Sequence, residues 1–138
     1  MMDIKMTMDG LDELRAAFEK ASEETRRKVH NVVTATTMRV HTSARRRIQR
    51  GPKTGKLYIK TDPNRSHQAS APGEAPATDT GTLANSIFWW VDPVRGGFVY
   101  TNLEYAHILE FSMNRPFLFP SMEEQAPQFK RELSEVLK

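Results

Sequence analysis

The stretch GPKTGK at residues 51–56 is the part of this chain closest in letters to a catalytic element. A phosphate-binding loop needs glycines spaced so that backbone N–H groups wrap the phosphates, then a lysine and a hydroxyl residue for the metal. Here three residues separate Gly51 from Gly55, no Ser or Thr follows Lys56, and the stretch follows a helical pattern instead of a strand. His107 and Glu110 lie three residues apart and share a helical face, but two ligands do not make a metal site. The other histidines are scattered. Cysteine is absent, which excludes a thiol nucleophile, a thiolate metal site and a disulfide. No Gly-x-Ser-x-Gly elbow is present. Glu23-Glu24 and Glu123-Glu124 suit the first turns of helices better than acid–base work. Neither an enzyme nor a cofactor is expected.

Charge and aromatic placement are more informative. Between Arg39 and Arg65 there are nine basic residues and one acid, Asp62, so the rest of a chain with formal charge +3 is acidic overall. Arg45, Arg46, Arg47, Arg50, Lys53 and Lys56 are therefore candidates for contact with DNA or with an acidic protein surface. They also fit the end of a helix, where cations suit the dipole and solvate freely. No helix-turn-helix, zinc module or aromatic strand pair accompanies them, so any nucleic-acid contact would be weak backbone contact. A nucleic-acid-binding accessory protein using residues 39–65 stays open as the alternative class. Trp89 and Trp90 are adjacent. In a strand they point to opposite faces, so one can enter the core while the other is left outward as a candidate interface.

These residues must be positioned by a modest fold. At 138 residues the chain is read as one domain, 1–138. No apolar run reaches the roughly 20 residues that span a bilayer, and MMDIKMTMDG is too polar for a signal peptide. The expected setting is the cytoplasm in which the chain is made, without a membrane partner. Ile4, Met6 and Met8 alternate as in a short strand; Leu11, Leu14, Phe18 and Ala21 recur as on a short helix. Ser22 can cap a second helix whose stripe is Val29, Val32, Val33, Thr36, Val40, Ala44 and Ile48, ended by Gly51-Pro52. Residues 51–79 are rich in Pro, Gly, Ser, Thr and Lys, and read as a long mobile loop broken only by the strand-like Leu57-Tyr58-Ile59. Asp79 or Thr80 can cap a helical turn through Leu83. Residues 87–91 and 98–100 read as a hairpin, 104–111 as a short helix with Ala106, Leu109 and Tyr105 inward. A last helix is capped by Ser121 and interrupted by Pro127. The class is α+β: a small antiparallel sheet, made of the N-terminal strand and the central hairpin, packed against one long helix and a C-terminal helix.

The order of these pieces resembles the tail-completion, or head–tail joining, family of long-tailed bacteriophages and prophages. The matching stretches are GLDELRAAFEKA, the Arg-rich helix, SAPGEAPATDTGTLANSI, YAHILEFS and RPFLFPSMEE, which cover nearly the whole chain. Ser112 stands where the family often has glycine, and Ser121-Met122 replaces a commoner Pro-Ala-like ending. The resemblance implies a structural virion protein at the head–tail interface, assembled in the host cytoplasm. It implies a ring of identical copies, with head-completion or adaptor proteins on one side and the tail terminator or tail-tube proteins on the other. Within that reading the 51–79 segment is an assembly arm. Pro72 and Pro76 limit its docking entropy, Gly73 and Gly81 permit its turns, and Glu74, Thr80 and Leu83 belong to the same motif. The basic stretch either lines a channel for passing DNA or docks on an acidic neighbour.

Overall fold

A computed structural model describes residues 13, 16, 19, 20, 22–61, 64–77, 81–93 and 95–137. The strand expected at Ile4, Met6 and Met8, the stripe Leu11, Leu14, Phe18 and Ala21, and the caps expected at Asp79 or Thr80 lie outside the described residues. Helix α1 spans Glu23–Arg50. Ser22 Oγ accepts the N–H of Thr25, acids occupy the first turn and Arg47 and Arg50 the last, so cap and dipole both favour this extent. Its buried line is Val29, Thr37, Ala44 and Ile48. Thr37, not the expected Thr36, is the buried threonine. Its hydroxyl donates to Val33 O at 2.7 Å, so the helix itself satisfies that polar group.

Strands β1 (Leu57–Thr61) and β2 (Asn64–Gln68) pair antiparallel, Leu57 opposite Gln68 and Thr61 opposite Asn64. A hairpin thus occupies the middle of the segment whose composition predicts a loop. Its second strand, NRSHQ, has little strand propensity of its own and owes its conformation to pairing with LYIKT. A short helix α2 (Thr82–Asn85) leads into β3 (Ile87–Asp92), which pairs antiparallel with β4 (Gly96–Thr101). Two separate two-stranded sheets result among the described residues. Helix α3 (Glu104–His107) runs on into a π-helical turn, Ile108–Ser112. Helix α4 (Phe119–Val136) closes the fold and continues through Pro127. The class is α+β, as the periodicity indicates.

Helix α1 packs on α4, β3 and β4. Arg39 pairs with Glu132 at 3.1 Å and Arg47 with Glu124 at 2.7 Å. The steps along the two helices are equal and opposite in sense, so α1 and α4 are antiparallel. The core gathers Ala44, Ile48, Leu83, Ala84, Ile87, Ala106, Phe117 and Leu118. Gly97 lets β4 approach α1 closely: a Cβ there would overlap Thr37 Oγ1. His41 Nε2 is 2.9 Å from Ile87 O, a second tie between α1 and the hairpin.

Candidate functional site: an arm, an aromatic face and an arginine cleft

The arm is fastened at its base. Pairing extends beyond β1 and β2, because Gly55 N donates to Ala69 O at 2.8 Å and Ala69 N to Lys56 O at 2.9 Å. Glu74 then acts as a latch. Its carboxylate accepts the N–H and hydroxyl of Thr54 and the N–H of Ala71 at 2.8 Å. The Thr54 hydroxyl, then the Ala71 and Thr54 amides, hold its pKa below the ordinary carboxylate range. Lys53 Nζ donates to Arg47 O at 3.0 Å and Ala75 O at 2.9 Å, and burial lowers its pKa against the pull of Glu74. Gly73, at φ +87°, donates its N–H to Asn114 O at 2.8 Å. Arg115 Nε donates to Ser70 Oγ at 2.9 Å.

The residues singled out in the arm therefore divide. Pro72 and Gly73 are exposed, Glu74 is half-buried, and Pro76 is buried. Gly81 has φ +81° and precedes α2; Leu83 sits in the core and fixes the chain beyond the arm. Thr80 lies outside the described residues. Beyond the latch, the hairpin's main contacts are between its own strands. Leu57, Tyr58 and Ile59 are exposed, Ile59 by 75%. Lys56 Nζ sits 5.1 Å from the centre of the Tyr58 ring.

The tryptophans do point to opposite faces of β3, but neither enters the core. Trp89 is 38% exposed on the side of Ile87, and Trp90 is 45% exposed on the other. The core side is already filled by Ile87, with Gly97 drawing β4 against α1. On the outer face Phe88 meets Tyr100 with ring centroids 5.9 Å apart, and Trp90 stacks on Phe98 at 5.1 Å. The register sets these pairs directly opposite one another. The result is an aromatic ladder of four rings, cross-strand pairs that stabilise the hairpin while remaining open to a partner.

The basic residues are not one patch. Arg46, Arg47 and Arg50 line a cleft of about 240 Å³ with Ser43, Gly51 and Glu124. Glu124 accepts from Ser43 Oγ at 2.9 Å and from Arg47, and these bonds hold its pKa low. Arg45 instead reaches Asn85 Oδ1 at 3.2 Å. Lys53 is spent on backbone carbonyls and Lys56 on Tyr58.

Glu110 is the residue whose role the sequence pattern misses. The π-helical turn, closed by Met113 N donating to Ile108 O at 2.9 Å, carries Glu110 inward, where it is 6% exposed. Its two oxygens accept the N–H groups of Phe117 at 2.7 Å, Leu118 at 3.1 Å and Phe119 at 2.8 Å. This carboxylate caps α4 from outside the helix, where donors are orphaned and the dipole favours an anion. Ser121, expected as the cap, lies inside the first turn and donates to Phe117 O at 2.6 Å. Pairing Glu110 with His107 on a helical face hid this, since a π turn changes which side chains share a face. Tyr105, expected inward, is exposed with Ile108 and Phe111. Among the described residues, no group of three His, Asp or Glu could hold a metal. No described helix is long and apolar enough to cross a membrane.

A family model described as "Bacteriophage HK97-gp10, putative tail-component" matches residues 12–111, a span that runs from before α1 through the arm and the aromatic hairpin to the π turn. No curated protein and no solved structure matches the chain.

Proposed function

The chain belongs to this bacteriophage tail-component family, and from that premise we propose that it is a structural protein of the phage neck, forming a ring that completes the tail and joins it to the head. The observation that carries the proposal is the arm. A two-stranded hairpin is marginal alone, yet this one is latched at its base by Glu74 and Lys53 while Leu57, Tyr58 and Ile59 remain uncovered. Such an element gains its packing from a neighbour. Head-completion or adaptor proteins would occupy one side of the ring and tail-terminator or tail-tube proteins the other, in the virion, after assembly in the host cytoplasm. The role is structural, with no catalytic step.

Deletion of the gene from its phage or prophage, followed by electron microscopy of the lysate, tests this. DNA-filled heads beside separate, normal tails are expected. Tails of abnormal length would move the role to tail termination, and normal infectious particles would overturn it.

The cleft lined by Arg46, Arg47 and Arg50 supports a second reading, contact with DNA. Within a neck ring that contact is weak and non-specific, suited to passing DNA, and disappears well above physiological salt. DNA binding that survives such salt would favour a nucleic-acid-binding accessory protein instead.

A further inference from the structure

We propose that the receiving surface for the arm is the aromatic ladder of a second copy: Leu57 and Ile59 of one chain lie across Phe88, Trp90, Phe98 and Tyr100 of the next. The inference rests on the ring reading and specifies its interface. Leu57 and Ile59 are two residues apart on β1, so they occupy the same face of the hairpin, and they are 53% and 75% exposed. The ladder is the outer face of β3 and β4, with Phe88 at 49% and Trp90 at 45% exposure. Each copy thus has one apolar surface to give and one to receive.

Charge selects this pairing over its alternatives. Residues 53–68 contain four basic residues and one acid, whereas residues 82–112, leaving aside the buried Glu110, contain two acids, Asp92 and Glu104, and one base, Arg95. Arm on arm would set basic against basic, which costs free energy; arm on ladder brings opposite balances together. Size points the same way. The exposed parts of the four rings offer roughly 300 Å², well below the about 800 Å² per partner of a standard stable interface. One contact is too small to hold two copies firmly. A heterologous contact, though, repeats head to tail and closes into a ring, where every copy is held twice.

The absence of native cysteine makes proximity easy to read. Ile59→Cys and Phe88→Cys proteins, mixed and joined by a short thiol-reactive cross-linker, should give a heterodimer in preference to either homodimer. The double variant should give a ladder of covalent multimers, in purified protein at high concentration and in assembled particles. Because Phe88→Cys removes a ring from the receiving face, Ile59→Asp serves as an independent check. That side chain is solvent-exposed, so folding should be unchanged by circular dichroism while self-association weakens about tenfold or more. Rings that form normally with Ile59→Asp, or whose cross-links join 59 to 59, overturn the interface and leave the ring reading intact. Rings without any 59–88 link do the same, and assign the ladder to another virion protein. If the wild-type chain forms no ring even in particles, the ring reading falls and this interface with it.

Discussion

Glu110 shows how one side chain can decide the geometry of a whole segment. Three backbone donors converge on its carboxylate, and those donors belong to the stretch that starts α4. Glu110→Ala leaves them buried without an acceptor, so unfolding in urea should show a loss of about 2–4 kcal/mol. Glu110→Gln, which keeps one acceptor oxygen, should lose less. Gly97 decides the fit of the hairpin on α1 in a different way. Its lack of a Cβ is a matter of space, because the position a Cβ would take is filled by Thr37 Oγ1. Gly97→Ala should therefore destabilise by about 1–3 kcal/mol through overpacking. Adding Thr37→Ala should restore part of that loss, and two independent defects would instead sum in the same urea titration.

Among the elements, those with strong periodicity or chemistry of their own were legible in the sequence. Helix α1 was readable because its cap, its stripe and its Gly51-Pro52 end agree, and β3 because IFWWV is rich in strand formers. The polar strand β2 was not, since its conformation comes from its partner. The π turn was not, since its hydrogen bonding departs from the period on which helical faces are read. The latch was not either: Glu74 and Thr54 are 20 residues apart and meet only once the hairpin has formed. That latch has its own pH signature. Glu74 is held below its ordinary pKa by hydrogen bonds, so its contribution is present above the unfolded value of about 4.3. It is lost as pH falls through the depressed folded value. Hydrogen exchange at residues 53–75 should accelerate in that acid window while α1 stays protected. Glu74→Ala should produce the same local acceleration at neutral pH, with little change in the global urea midpoint. Uniform acceleration across the chain would mean that the arm's base unfolds only with the rest of the fold.

For the whole molecule the decisive question is what the basic stretch is for, and the fold has already allotted much of it. Arg39 and Arg47 tie α1 to α4, Arg45 reaches Asn85, and Lys53 holds the arm. Reversing Arg45, Arg46 and Arg47 together would therefore damage structure and function at once. Arg46 and Arg50 are the better probes, because both are exposed at the rim of the cleft and form no ion pair among the described residues. Arg46→Glu with Arg50→Glu should leave the thermal midpoint nearly unchanged, since surface charges of this kind contribute little to stability. If these arginines face a channel, particles should still join, and the defect should appear in DNA delivery, measured as genome ejected per joined particle. If they face an acidic neighbour, heads and tails should accumulate separately despite a folded, ring-competent protein. Unchanged joining and unchanged delivery would remove both roles from the cleft. The proposed neck role would then rest on the arm and the aromatic face alone.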